Sequence, residues 1–189
     1  MPTVIKTAPS VEPVTASELK AHLRVTHTDE DTYIGTLITA ARQWIENYTN
    51  RQLVTATWTL YLDGFSAQID MPHPPLQSVT SVQYYDTGGT LQTLSSAVYT
   101  VDTYARIGRL VEASGQVWPA TQDIINAVQI EYKAGYGDAG SNVPTAVRQA
   151  LLLLAAHWYE NRESVVVGVT STHVPETVDS LLASYRIWT

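Results

Sequence analysis

The stretch from Val143 to Gly168, VPTAVRQALLLLAAHWYENRESVVVG, reads as one long helix that is apolar on more than one side before it runs into a tail. Pro144 suits a first helical position, where its missing N–H would have no partner, and Asn142 or Val143 takes the cap place before it. Val147, Leu151, Leu154 and Trp158 recur at spacings of three and four and form one face. Ala146, Ala150, Leu153 and His157 form a second face beside it. A helix with two apolar faces needs two neighbours, so it is either a central core helix or one whose second face packs on another subunit. The apolar run from Ala150 to Ala156 is far shorter than the roughly 20 residues a bilayer span requires, so no membrane partner is expected.

A length of 189 residues predicts one domain, or one domain carrying an insertion, with a sizeable core. Only 15% of the residues are charged, below the usual share of about 25%, and a surface so poor in charge often carries contacts. The net charge is −7, with no Lys/Arg cluster anywhere, which argues against gripping nucleic acid through its phosphates. There is no cysteine, which excludes disulfides and thiolate zinc sites. The first residues, MPTVIKTAPSVEPV, lack the apolar stretch of a signal peptide, so cytoplasmic synthesis is expected.

Along the chain, three prolines in the first dozen or so residues predict an extended arm. Thr15 and Glu18 have capping-box spacing and start a short helix over TASELKAHLRV. Thr28 and Asp31 have the same spacing and open a longer helix, whose stripe of Ile34, Leu37, Ile38, Ala41, Ile45 and Tyr48 faces the core as far as about Asn50. From Thr55 to Lys133 the pattern changes to alternating, β-branched and aromatic segments broken by Gly and Pro, which predicts antiparallel strands and hairpins. The expected strands are Thr57–Leu62, Ser78–Tyr85, Thr90–Leu94, Tyr99–Thr103, Gly108–Glu112 and Ala127–Lys133, while Met71 to Pro75 cannot be a central strand. A last short helix is predicted over Thr177–Tyr185. The fold class is therefore α+β: a helical body of two N-terminal helices plus a long C-terminal helix, an inserted antiparallel β region at about 55–133, and an extended C-terminal tail over 164–189.

Catalytic chemistry finds few candidates. Gly135-Tyr136-Gly137-Asp138-Ala139-Gly140 matches G-x-G-x-x-G, but Pro144 places the helix start several residues after the third glycine, and no βαβ unit precedes it. A turn between strand and helix is the better reading of these glycines. His157 and Glu160 share a helix face, yet zinc needs at least a third protein ligand and no matching histidine is present, so no metal or cofactor is expected. Five Trp and eleven Tyr stand against one Phe, a balance that fits a protein contact surface or a carbohydrate platform. Trp188 and Tyr185, in the last five residues, suggest docking into a partner.

Several segments taken in order are similar to the head-to-tail connector, or adaptor, proteins of tailed bacteriophages and gene-transfer particles. They are VTASELKAHLRV from Val14, DEDTYIGTLITAARQWIENYTNRQL from Asp29, WTLYLDGF from Trp58, PPLQSVTSVQYY from Pro74, Trp118 to Thr121, NAVQIEYKAGYGD from Asn126, Val143 to Glu163, and Tyr185 to Trp188. The resemblance implies a structural virion protein without enzymatic activity, found in the neck and made in the host cytoplasm. It further implies a ring, usually a dodecamer, beneath the portal, followed by a stopper or tail-completion protein and threaded by the genomic DNA. A C-terminal segment clasps the portal in this family, which by position puts Tyr185, Arg186, Ile187 and Trp188 at the portal and leaves Ala146, Ala150, Leu153 and His157 for packing between subunits. A net acidic subunit lining such a channel would let DNA pass without sticking. The other readings are a β-rich glycan-binding module and, more remotely, a nucleotide-binding enzyme built on Gly135 to Gly140.

Overall fold

The computed structural model describes residues 2–162 and 176–188. The chain forms two compact units, a β unit of Met1–Pro9 with Thr55–Tyr136 and a helical unit of Ser10–Val54 with Gly137–Thr189. The α+β class read from the sequence is the one observed.

The helical unit holds α1 (Ala16–Leu23), α2 (Asp31–Thr49), α3 (Thr145–Glu160) and α4 (Glu176–Leu182). α1 starts with the expected capping box, in which the Thr15 hydroxyl accepts from the Glu18 N–H and the Glu18 carboxylate accepts from the Thr15 N–H. α2 starts later than the Thr28 spacing implied. The first helical bond runs from Ile34 N–H to Glu30 C=O at 2.9 Å, and Thr28 contributes only a backbone turn to Asp31. Glu30 gives no side-chain cap because its carboxylate is held by Tyr159 and Arg162. α2 ends with Asn50 in the left-handed region at φ 54°, and Arg51 N–H reaches back to Glu46 C=O at 3.1 Å.

Pro144 precedes α3 rather than opening it. Its ψ of 138° is extended, and its carbonyl accepts the first bonds from Val147 and Arg148. The stripe predicted for α2 is buried at Ile34, Leu37, Ile38, Ala41 and Ile45, where it meets Val147, Leu151 and Leu154 of α3 with Val178 and Leu182 of α4 in the core of this unit. Arg148 ties α3 to α1 by donating to Pro13 C=O at 3.0 Å and to the Glu18 carboxylate. The part of the expected tail from Ser164 to Pro175 lies outside the described residues; beyond it α4 and its sequel pack on the unit.

The β unit contains β1 (Thr3–Thr7), β2 (Ala56–Leu62), β3 (Gln68–Asp70), β4 (Leu76–Tyr85), β5 (Leu91–Thr93), β6 (Tyr99–Asp102), β7 (Arg109–Glu112) and β8 (Val128–Ala134). Five strands form one sheet in the order β1-β2-β8-β4-β5, and three form a second in the order β3-β7-β6, with antiparallel pairing throughout. Within the segment expected as an extended N-terminal arm, Thr3–Thr7 is the edge strand of the larger sheet, with Thr3 opposite Leu60. Thr3 is also bonded to the His73 ring at 3.1 Å, and that ring stacks on Trp58 with centroids 4.0 Å apart. Alternation along β8 sends Val128, Ile130, Tyr132 and Ala134 into a core shared with Leu60, Met71, Leu76, Val82 and Leu110.

Candidate interaction surfaces

The Gly135–Gly140 loop is a turn, and Gly135 N–H donates to Pro75 C=O at 2.9 Å. Gly135 and Gly137 have φ of 127° and 152°, which favours glycine at both places. Ala139 N–H donates to the Asn142 side chain at 3.0 Å, and a Cβ on Gly140 would lie 2.6 Å from Pro13 O. α3 begins only at Thr145, so no helix N-terminus meets the glycines as dinucleotide binding requires. His157 sits in the last turn of α3, where the Asn161 amide bonds its carbonyl at 2.9 Å. Among the described residues no group of three or more His, Asp or Glu side chains is placed to hold a metal ion.

The expected portal-docking residues follow α4 and fold back onto the end of α2. Ile187 N–H donates to Thr49 C=O at 3.0 Å, Asn50 Nδ2 donates to Ile187 C=O at 2.8 Å, and Arg51 Nε donates to Tyr185 C=O at 2.5 Å. Ile187 is buried in the core of the unit, Tyr185 and Arg186 are half-buried, and Trp188 is 76% exposed. Arg186 lies between two rings, 4.6 Å from the Tyr48 centroid and 3.7 Å from that of Trp188, and Tyr48 in turn stacks on Trp44 at 4.9 Å. These four side chains make a column of π systems and one cation on the outside of α2. Sequence reading missed it, although Trp44 and Tyr48 stand one helical turn apart and could have flagged the face.

The four residues expected to pack between subunits have separate fates. Ala150 is fully buried within its own unit, which removes it from any outer contact, whereas Ala146, Leu153 and His157 are half-buried. Val147, Ala150, Leu151, Leu154 and Ala155 form the buried side of α3, while most of its second face stays partly open to solvent. Where α3 ends, Arg162 lies over the rings of Tyr33 and Tyr159 at 4.8 and 5.1 Å and donates to Glu30. Hydrogen bonds from Tyr159 and Arg162 hold the Glu30 carboxyl below its ordinary pKa. This cluster joins the start of α2 to the end of α3, so the chain leaves α3 from a fixed point.

Several ring side chains of the β unit face one another. Phe65 stacks on Trp118 at 4.7 Å and meets Tyr84 edge-on at 5.9 Å, while Trp58 is covered by His73. Trp118 is pinned by its indole N–H to Ser66 C=O at 2.9 Å. A flat platform for a sugar would need open ring faces, and here these rings serve packing.

A family model described as head completion protein matches residues 12–188, which spans both units and ends on Trp188. The chain belongs to the head completion protein family. Among solved structures it is similar to a chain in the virion of a native gene transfer agent particle, with a TM-score of 0.83 and 24% identity over 100% of this chain and 97% of that one. It is also similar to chains in the neck of an empty gene transfer agent particle (TM-score 0.78, 24% identity) and of a native one computed with C12 symmetry (TM-score 0.77, 23% identity), with the same coverage of both chains. No curated protein matches the chain. At these identities the likeness speaks for the fold. A head completion protein of this fold thus has its β unit and its helical unit in common with its structural neighbours, and its own β1 lies before the residues that the family model matches.

Proposed function

We propose that this chain is a structural subunit of the neck of a tailed phage or phage-like particle, where it forms a ring between the portal and the stopper or tail-completion protein. The family match over residues 12–188 carries this reading, because it takes in the whole of the helical body together with Tyr185–Trp188. The C6 and C12 symmetries applied to the necks of two structural neighbours are both compatible with a ring of twelve copies. Head-to-tail contacts close into a ring when the rotation between copies permits, and the charge-poor surface suits side-by-side packing of that kind. The exposed Trp188, stiffened by Arg186 beneath it, is the natural anchor for the portal. The protein works as a conduit and not as an enzyme. DNA passes the ring without being held, since an acidic subunit offers the phosphates no cluster of basic side chains that could displace their counterions. The subunit is made in the host cytoplasm and remains in the virion.

Mass photometry of the purified chain, alone and with portal rings from its own particle, tests this reading. A gain of about twelve subunits per portal is expected for a closed ring. A chain that ignores the portal at every concentration would overturn it.

A further inference from the structure

One end of the β unit differs from the rest of it in chemistry. At the end of the larger sheet away from Ala56 and Ala134, three connections meet: the turn at Asp63-Gly64, the β4–β5 hairpin over Asp86–Gly89, and the segment Thr121–Asn126. Asn126 N–H donates to the Asp63 carboxylate at 2.8 Å, Gln122 N–H donates to Tyr85 C=O at 2.9 Å, and Asp86 pairs with Thr121 as an isolated bridge. The Asp86 carboxylate also accepts from Gly88 and Thr90 N–H at 2.9 and 3.0 Å, so the hairpin tip is held in one shape. Trp118, stacked on Phe65 just beyond the Asp63 turn, brings Val117 to the same end.

These ordered loops display apolar side chains to solvent. Ile125 is 81% exposed and Val117 77%, with Leu91 at 43% and Ile124 at 38%. The charged side chains around them, Asp63, Asp86, Glu112 and Asp123, are all acidic. The basic side chains of the unit lie elsewhere. Lys133 adjoins Ala134 at the opposite end, Lys6 reaches Glu131 in the middle of β8, Arg106 lies in the β6–β7 connection, and Arg109 opens β7, where it binds Asp102 at 2.9 Å.

Exposed isoleucine and valine on loops that are already ordered lose little entropy on being covered. A purely acidic rim selects what covers them: it repels DNA, anionic lipid and a second copy of itself, and it attracts Lys and Arg. The geometry points to this end of the β unit as the docking face for a protein partner whose contact surface is an apolar pocket rimmed by basic residues. The inference rests on the neck reading above, and on that reading the partner is the stopper or tail-completion protein that follows in the neck.

The test uses the full chain bound to portal rings, with the recombinant stopper protein of the same particle as the probe. Val117→Ser combined with Ile125→Ser should weaken stopper binding at least tenfold and leave portal attachment unchanged. Asp123→Lys should also weaken it, and wild-type binding should fall as salt is raised. Tyr104→Ser, on an almost fully exposed residue of the β6–β7 connection, should change nothing. Stopper binding that is equal in the Val117/Ile125 double variant and the wild type, with portal attachment intact, would overturn the docking face alone. So would flotation of the wild type with phosphatidylcholine vesicles that the double variant loses, since these residues would then be a lipid contact. Failure of the wild type to attach to the portal would overturn the neck reading, and the inference with it.

Discussion

Arg42 and Glu46, one turn apart on α2, are ion-paired with Nη1 2.7 Å from Oε2 while their side chains are only 10% and 13% exposed. Arg42 also donates from Nε to Glu12 at 2.7 Å, and Glu46 accepts from the Leu53 N–H at 3.0 Å and from the Gln52 amide at 2.6 Å. The group thus joins α2 to the segment before α1 and to the segment after its own end.

Removing the cation leaves a nearly buried carboxylate without its main partner. Arg42→Met is expected to destabilise the helical unit by about 3–5 kcal/mol. The pH dependence has a definite sign. Burial holds the Glu46 carboxyl above its ordinary pKa, against the opposing pull of Arg42 and the Leu53 N–H. The folded state therefore keeps that proton to higher pH than the unfolded chain does, and Glu46 lowers stability as pH rises from its unfolded value through its folded one. Without Arg42 the folded value rises further, so the deficit of the variant should be largest near neutrality and shrink as pH falls toward about 4.5. Thermal unfolding of both proteins at about pH 7 and about pH 5 checks this, and a deficit of equal size at both would refute it.

Tyr132 carries a different kind of cost. Its side chain is fully buried in the centre of the larger sheet, and its hydroxyl finds no partner among the described residues. The same burial pushes its pKa well up. Tyr132→Phe keeps the ring and removes the stranded hydroxyl, so it should stabilise the β unit by about 1 kcal/mol. Urea unfolding measures this directly; a loss of stability instead would mean that an internal water serves the hydroxyl.

The glycine loop before α3 is rigid for reasons of space. A methyl group on Gly140 would meet the carbonyl oxygens of Pro13 and Glu12 at 2.6 and 2.7 Å, and backbone cannot move aside as a flexible side chain can. Gly140→Ala should therefore cost about 2 kcal/mol or more, as strain at crowded backbone positions does. Gly115→Ala is a useful contrast. A Cβ there meets nothing within 4 Å, and only its φ of 76° penalises the change. Guanidinium unfolding of the pair should rank Gly140→Ala as the more damaging.

Much of this was legible in the sequence because period and capping are local. The Thr15 capping box, the α2 stripe from Ile34 to Ile45 and the alternation of Thr57–Leu62 each need only a few adjacent residues and stand where the pattern placed them, whereas Tyr48, expected to close the stripe, stacks on Trp44 and Arg186 instead of entering the core. Long-range pairing was not legible. Nothing in TVIKT says that it pairs with β2, and the short β3 gave no periodic signal at all. The start of α2 was misjudged for the same reason, because Glu30 is held by Tyr159 and Arg162, residues distant in sequence. The C-terminal residues illustrate the divide most sharply: an aromatic end signalled a contact, but only the fold separates Ile187, which the unit buries, from Trp188, which it displays.

That separation makes the portal-docking reading testable apart from folding. Ile187→Ala removes a buried side chain and the packing around it, so it should cost about 2–5 kcal/mol of stability. Trp188→Ala gives up one exposed cation–π contact with Arg186, worth about 0.5–1 kcal/mol, and should leave the fold in place. Portal attachment by mass photometry should respond in the opposite order. If Trp188 is the anchor, Trp188→Ala stays folded and fails to load portal rings, whereas Ile187→Ala loads them at temperatures where it remains folded. Normal loading by Trp188→Ala would move the docking site away from the end of the chain, and the half-buried Leu153 and His157 on α3 would be the next positions to substitute.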